Sequence, residues 1–174
     1  IIAVLWRLML NPNGIINYLL MTVGIIDGRV EWLSSRQLAL PTVTFINIWA
    51  GYPFYMVSLL AGLQGISSEL YEAGKIDGGN GIQLFRFVTL PQLRPIIVSL
   101  AMLDFIWTMQ QFTLIWMTTG GGPIRATEML STLTYKLAFS SYQFSHASAT
   151  AVIILLLSMF VALFYVRKQR ASDE

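Results

Sequence analysis

Residues 72–95, EAGKIDGGNGIQLFRFVTLPQLRP, form a polar, glycine-containing segment between two long apolar runs. No Asp, Glu, Lys or Arg occurs in residues 37–68, and Asp104 is the one charged residue in residues 95–124. A helix rises about 1.5 Å per residue, so crossing roughly 30 Å of hydrocarbon takes about 20 apolar residues. The contrast predicts a membrane protein whose spans are joined by a structured polar loop.

Three runs are long enough to span a bilayer: residues 40–62, 96–117 and 147–166. Residues 1–10 are interpreted as the end of a further membrane helix, which Pro12 and Gly14 break. Because Ile1 is not an initiating Met, we expect the sequence to be N-terminally truncated. We therefore expect an all-α fold, a polytopic transmembrane helical bundle, with residues 1–174 forming a single transmembrane domain.

The composition agrees with this class. The chain is 55% hydrophobic and 11% charged, whereas about 25% of residues are charged in ordinary soluble domains. A soluble core is the alternative interpretation of any single apolar run, but three such runs in a short chain favour the bilayer.

Basic residues predict the orientation. The polar loop holds Lys75, Arg86 and Arg94, and the last span is followed by Arg167, Lys168 and Arg170. Basic residues concentrate on the cytoplasmic side. We therefore expect residues 67–95 and the C-terminus to be cytoplasmic, in a multi-pass protein of a prokaryotic cell membrane.

The sequence carries no motif of a catalytic site. It has no Cys and a single histidine, His146, whereas a zinc site takes three or four protein ligands. Its glycine runs lack the Gly-Lys-Ser/Thr ending of a phosphate-binding loop, and its net charge of +2 is scattered rather than clustered as in nucleic-acid binders. We expect no cofactor, no metal and no nucleic acid, and another chain must hydrolyse any ATP.

The polar loop has the signals of a helix, a turn and a second helix. Ser67 or Ser68 can cap a short helix over residues 69–77, and small residues on its surface allow close approach by a partner. The expected shared face consists of Leu70, Ala73, Gly74 and Asp77. Gly78 permits the reversal, and a second helical stretch over residues 82–90 is expected to stop at Pro91 and Pro95. An amphipathic connector in the interface and a partner-docking element are equally compatible with these residues.

The motif Glu72-Ala73-Gly74, followed by Asp77-Gly78, Phe85, Leu90-Pro91 and Pro95, resembles the EAA loop of permease subunits from binding-protein-dependent ABC importers. The resemblance extends along the chain and is closest to sugar-type permeases, which include the maltose and glycerol-3-phosphate systems. Residues 14–20 and 119–123 are similar to segments on either side of that loop, the latter to the first of the two permeases. Gly74 stands where that family usually has alanine.

The resemblance implies a type I ABC importer permease fold that translocates a sugar or related polar organic solute. It also implies four partners: ATP-binding subunits, a second related permease, an extracytoplasmic solute-binding protein contacting residues 120–142, and the lipid bilayer. The residues implied to couple the chain to the ATPase are Glu69, Glu72, Ala73, Gly74, Asp77, Gly78 and Pro91. A self-sufficient channel or secondary transporter is the alternative function.

Polar and aromatic side chains within the spans are candidates for a substrate path, because such groups avoid lipid and face a bundle interior or water. They are Asn47, Tyr52, Tyr55, Asp104, Trp107 and Gln111. For Asp104 a structural hydrogen bond is an equal alternative, and for Trp107 packing is the preferred interpretation.

Overall fold

The computed structural model describes residues 1–173, with side chains described for residues 1–167, and all regular elements in this part of the chain are helical. The predicted all-α fold is confirmed. The α-helices are α1 (Ile2–Met9), α2 (Ile15–Thr22), α3 (Ala39–Gln64), α4 (Ser68–Ile76), α5 (Gly81–Leu84), α6 (Leu90–Met109), α7 (Thr113–Thr118), α8 (Leu130–Tyr135) and α9 (Phe144–Asp173). Two π-helical turns, π1 (Phe85–Thr89) and π2 (Lys136–Ser140), follow α5 and α8.

Three helices are long and apolar enough to cross a membrane: Ala39–Gln64, Gly81–Met109 and Phe144–Arg167. Large apolar side chains on them remain exposed, among them Phe45, Leu60 and Phe160. Such surfaces are unfavourable in water and suit contact with lipid. The helices correspond to the three predicted spanning regions, although their bounds differ in the middle one.

Helices α3 and α6 pack antiparallel. Gly62, near the end of α3, lies against the start of α6, where a Cβ added to it would come within 2.6 Å of Ile96 Cδ1 and 3.0 Å of Leu93 Cδ2. The missing side chain therefore lets the two helices approach this closely. The end of the bundle that carries this contact and residues 65–80 is called the loop end.

The prediction that Pro91 and Pro95 stop the second helix of the loop is wrong. Helix α5, turn π1 and helix α6 run without interruption over Gly81–Met109. At the junction the Leu90 N–H donates to the carbonyl of Phe85, five residues earlier. This wider turn places Pro91 in the first turn of α6, where its missing N–H is tolerated, and local π adjustments likewise accommodate proline in spanning helices.

The middle span also ends earlier than predicted. The predicted range is 96–117, but α6 ends at Met109, and the Gln110 N–H bonds to the carbonyls of both Ile106 and Trp107. After this tightened turn, the short helix α7 buries Leu114 and Ile115 in a core cluster. Burial of these two side chains explains why the chain departs from the axis of α6.

The core cluster lies at the end opposite to the loop end. Its buried members are Ala3, Leu10, Val43, Ile46, Leu114 and Ile115. Beside it, the fully buried Asn17 connects α2 to the segment that follows it. Its Nδ2 donates to the carbonyl of Val30 at 2.9 Å, and its Oδ1 accepts from Trp32 Nε1 at 3.0 Å. A buried amide with both ends paired fixes the path of residues 11–32.

Helix α9 returns from the opposite end to the loop end. Near its beginning Thr150 pairs with Thr134 of α8 at 2.8 Å, and further along Tyr165 pairs with Ser99 of α6 at 2.7 Å. The end of α9 therefore lies on the same side of the bundle as α4. The side chains of Lys168 and Arg170, which helped to predict the orientation, lie outside the described residues.

Candidate functional site

A cleft of about 570 Å³ runs along the seam between α3 and α6. All six predicted substrate-path residues line it: Asn47, Tyr52, Tyr55, Asp104, Trp107 and Gln111. They come from two helices and from the turn that follows α6. The structure therefore brings together, on one surface, side chains that are up to 64 residues apart in sequence.

Two polar bridges cross the cleft. Near the middle of the helix pair, Tyr55 Oη donates to Asp104 Oδ1. Towards the opposite end, Gln111 Nε2 donates to Asn47 Oδ1 at 3.2 Å. Each bridge gives a polar side chain a partner at membrane depth, as expected where lipid offers none.

Aromatic rings lie beside these polar groups, and aliphatic side chains line much of the remaining surface of the cleft. The ring centroids of Phe54 and Trp107 are 5.4 Å apart, and those of Phe54 and Tyr55 are 5.5 Å apart. Tyr52 and Trp107 are each about half exposed. Aromatic faces beside an amide pair, a phenol and a carboxylate offer both stacking surface and hydrogen-bonding groups, the combination that orients a polar organic ligand.

Sequence reasoning missed other lining residues, including Gly51, Phe54 and Thr108. A signal for two of them existed. Asn47, Gly51 and Tyr55 follow one another at intervals of four along α3, and Asp104, Thr108 and Gln111 at intervals of four and three. Residues at these spacings share a helix face, so extending the face from the polar candidates would have found Gly51 and Thr108.

The polar loop begins with a capped helix. Ser67 is the N-cap of α4, and its Oγ accepts a hydrogen bond from the Glu69 N–H at 3.3 Å. After α4, Gly78 has a φ of +79°, a conformation that favours glycine and reverses the chain. Asn80 then caps α5 in a reciprocal arrangement with Gln83. Helix α4 and the reversal at Gly78 lie where the sequence predicts them, whereas the second helix continues into α6.

The structure places Gly74, which the sequence assigns to the docking face, against other residues of the same chain. A Cβ at Gly74 would lie 2.5 Å from Leu84 Cδ2 and 3.7 Å from Val88 Cγ2. On the same side of α4, Tyr71 Oη lies 2.9 Å from Thr89 Oγ1. Gly74 is therefore small because α4 packs against α5 and π1 of the same chain.

The outer face of α4 is free in this chain. Glu69, Glu72, Ala73 and Ile76 are exposed and follow one another at helical spacings of three, one and three. Ile76, at the end of this stripe, is 85% exposed. Asp77, the C-cap of α4, and Pro91, in the first turn of α6, are also exposed. The outer face of α4 thus presents two carboxylates, those of Glu69 and Glu72, beside the apolar side chain of Ile76.

At the opposite end, residues 119–128 form a turn that is held by hydrogen bonds and ion pairs. Thr127 Oγ1 lies 2.6 Å from Thr119 Oγ1 and donates to the carbonyl of Gly122 at 2.7 Å. Glu128 is held between Lys136 Nζ at 2.7 Å and Arg125 Nε at 3.3 Å. These contacts leave Ile124 at the tip of the turn, 82% exposed.

Three helices long and apolar enough to cross a membrane, a cleft between two of them and a polar loop packed at one end define a polytopic helical bundle of the membrane type. Residues 2–171 match the family of binding-protein-dependent transport system inner membrane components, and the chain belongs to that family. Its relatives include proteins named as ABC transporter permeases, among them a sugar transport permease.

Curated relatives are similar over nearly the whole chain. A protein of Brucella suis named as a probable ABC transporter permease is 35% identical over 173 residues, which are 99% of this chain and 60% of that protein. The trehalose/maltose transport system permease MalF of Thermococcus litoralis is 32% identical over 166 residues, covering 95% of this chain and 55% of that protein. The chain thus spans about three fifths of the length of these relatives.

A solved structure shows the same fold. A chain in the crystal structure of a bacterial ABC transporter involved in the import of the acidic polysaccharide alginate aligns with 99% of this chain and 60% of its own length. The TM-score is 0.86 and the sequence identity 24%. A second structure of the alginate transporter, in complex with an alginate pentasaccharide-bound periplasmic protein, aligns with a TM-score of 0.85.

Proposed function

We propose that this chain is a multi-pass subunit of an ATP-driven importer in a prokaryotic cell membrane, carrying a sugar or related polar organic solute across the bilayer. Family membership supports the importer class. The solute class is supported by the trehalose/maltose permease among its relatives and by the chemistry of the cleft. The proposal assigns ATP hydrolysis to separate ATP-binding subunits and half of the pathway to a second, related permease.

The cleft between α3 and α6 is the observation that carries the proposal. Its amide pair, Asn47 and Gln111, and the Tyr55–Asp104 bridge offer hydrogen-bond donors and acceptors to hydroxyl groups. The half-exposed ring of Trp107 offers a face against which the C–H surface of a sugar can stack. In this proposal the cleft forms this chain's wall of the solute path.

The outer face of α4 is proposed to dock the ATP-binding subunit. Glu69 and Glu72 provide charged contacts, Ala73 permits close approach and Ile76 provides an apolar anchor. Because ATP can drive transport only if its binding differs between two membrane states, the docked loop must move with the spans. The loop end, including the end of α9, is accordingly proposed to be cytoplasmic.

The opposite end is proposed to receive an extracytoplasmic solute-binding protein. The turn of residues 119–128 is held by a threonine pair and by the ion pairs of Glu128. Because these contacts already order the turn, binding through Ile124 and the neighbouring backbone costs little conformational entropy. The contact region in this proposal is residues 120–142.

Solute-stimulated ATPase activity of the importer reconstituted with its partners tests the assignment of the cleft. With maltose and trehalose as probes, Gln111→Ala and Tyr55→Phe are expected to lower the stimulated rate about two- to tenfold, because each removes a hydrogen bond of ordinary strength. The unstimulated rate should stay the same.

Ser58→Ala is the matched control, since it removes one hydroxyl from α3 whose hydrogen bond goes to the helix's own backbone. If both cleft variants behave like this control, the cleft is structural only. Uptake of either sugar by the chain in vesicles that lack any ATPase would instead support the channel or secondary transporter alternative.

A further inference from the structure

The inner face of α4 is joined to the base of the middle spanning helix by two different contacts. A Cβ at Gly74 would lie 2.5 Å from Leu84 Cδ2, so α4 lies close against α5. One turn earlier, Tyr71 Oη lies 2.9 Å from Thr89 Oγ1 in π1, and Thr89 is buried. Tyr71 and Gly74, three residues apart, share this face.

The π-helical turn contributes to the fit. In π1 the chain closes i to i+5 hydrogen bonds, which widens the helix between α5 and α6. Leu84, Val88 and Thr89 all contact α4 from this region. Since Gly81–Met109 is one uninterrupted helix, a helix held against its first turns is held against the span itself.

We infer that Tyr71, Gly74, Leu84 and Thr89 form a clamp that makes α4 and the middle spanning helix one rigid body. This inference rests on the proposed docking of α4 to an ATP-binding subunit. Tyr71 and Gly74 are then positioning residues: they touch neither solute nor partner, and they transmit the displacement of the outer face to α6. Without the clamp, movement of α4 would be absorbed by the glycine-containing turn at residues 78–81.

Cross-linking in membranes tests whether the clamp is closed. The chain contains no cysteine, so within one chain the double variant Gly74→Cys, Leu84→Cys can form only the disulfide between these two positions. A Cβ at position 74 would lie 2.5 Å from Leu84 Cδ2, so the shorter cysteine side chains of the double variant can meet, and we expect rapid oxidation to the disulfide. The yield should be equal in resting membranes and in the ATP-loaded importer, and oxidation should leave solute uptake unchanged.

Two outcomes would overturn the clamp. Absence of the disulfide in resting membranes shows that α4 does not lie on α5, whether or not any partner is present. Loss of uptake on oxidation, with the ATP-binding subunit still co-purifying, shows that α4 must leave α5 during transport. By contrast, the docking proposal alone is contradicted if the disulfide forms as expected but an Ile76→Cys variant does not cross-link to the ATP-binding subunit.

A pair of compensating substitutions distinguishes two roles of Gly74: packing against Leu84 in the clamp, or direct contact with the partner. Gly74→Val is expected to lower uptake about tenfold by overpacking against Leu84, and Leu84→Ala in the same chain should restore most of it. If Gly74 contacted the partner, shortening Leu84 would not restore uptake. Gly81→Val is the matched control, because a Cβ there meets no atom of this chain within 4 Å.

Discussion

Gly74 and Gly78 are four residues apart and are required for different physical reasons. Gly74 lies within helix α4, where any residue could adopt the backbone conformation, and the Leu84 side chain limits its size. Gly78 has open space around it, yet its φ of +79° lies in the left-handed region. Side-chain volume therefore limits substitution of Gly74, and backbone conformation limits substitution of Gly78.

Replacing Gly78 with valine should abolish solute-coupled ATP hydrolysis while leaving membrane insertion intact. A β-branched residue at positive φ costs on the order of 1–3 kcal/mol, enough to displace the turn that orients α4. Insertion depends on the three spans, which the substitution does not touch. Coupled hydrolysis in vesicles and the amount of membrane-embedded protein are the two measurements.

Gly78→Asn is the control for this prediction, because asparagine tolerates the left-handed region better than other residues with a side chain. It should retain much of the coupled activity, although its side chain, unlike that of valine, carries a polar amide group. Equal loss in the Asn and Val variants would show that volume, rather than backbone conformation, matters at this position.

Elements with local signals were predictable from the sequence, and those set by distant contacts were not. The beginning of α4 follows from Ser67 and the reversal from Gly78, both of which act on their own backbone. The uninterrupted helix through Pro91 could not be foreseen, because it depends on an i to i+5 closure that no periodicity signals. The end of α6 at Met109 likewise depends on burial of α7 in the core at the opposite end.

The cleft shows the same division. Each of its six predicted residues follows separately from the cost of a polar or amphipathic side chain in lipid. Their pairing was not predictable, since the Tyr55–Asp104 bridge joins residues 49 apart and requires the register of α3 on α6. That register depends on the close approach at Gly62, where Leu93 and Ile96 occupy the space of a side chain.

Replacing Gly62 with leucine should therefore destabilise the α3–α6 pair. Overpacking of a tight contact costs roughly 1–3 kcal/mol, and separating the helices at the loop end strains the Tyr55–Asp104 bridge further along the seam. Thermal unfolding of the protein in detergent is the measurement, with a lower midpoint expected for Gly62→Leu. Ile96→Ala in the same chain should recover part of the loss.

Ala61→Leu is the matched control for this variant, because Ala61 is the exposed neighbour of Gly62 on α3. It adds nearly the same atoms facing away from α6 and should leave the midpoint close to that of the unchanged protein. A midpoint lowered as much by Ala61→Leu as by Gly62→Leu would contradict the role given to the close approach.

For the whole molecule, the arrangement of three spans places α4 and the end of α9 at one end and the turn of residues 119–128 at the other. Two polar regions of different chemistry therefore lie at opposite ends of the helix bundle. The loop end offers carboxylates and an apolar anchor on a clamped helix. The opposite end offers a turn held by hydrogen bonds and ion pairs. In the proposed importer the energy source and the solute arrive from opposite sides of the membrane, so transport in one direction needs such an asymmetry.

Single cysteines should report this asymmetry directly, since the chain has none of its own. Ser68, at the start of α4, and Ser141, before α9, are both exposed, and serine to cysteine changes little else. In intact cells a membrane-impermeant maleimide should label Ser141→Cys at once and Ser68→Cys only after permeabilisation. Because the two positions lie at opposite ends of the same bundle, labelling of both from outside would contradict the three-span topology. Labelling in the reverse order would retain the topology and invert the orientation, which would place α4 out of reach of any cytoplasmic ATP-binding subunit.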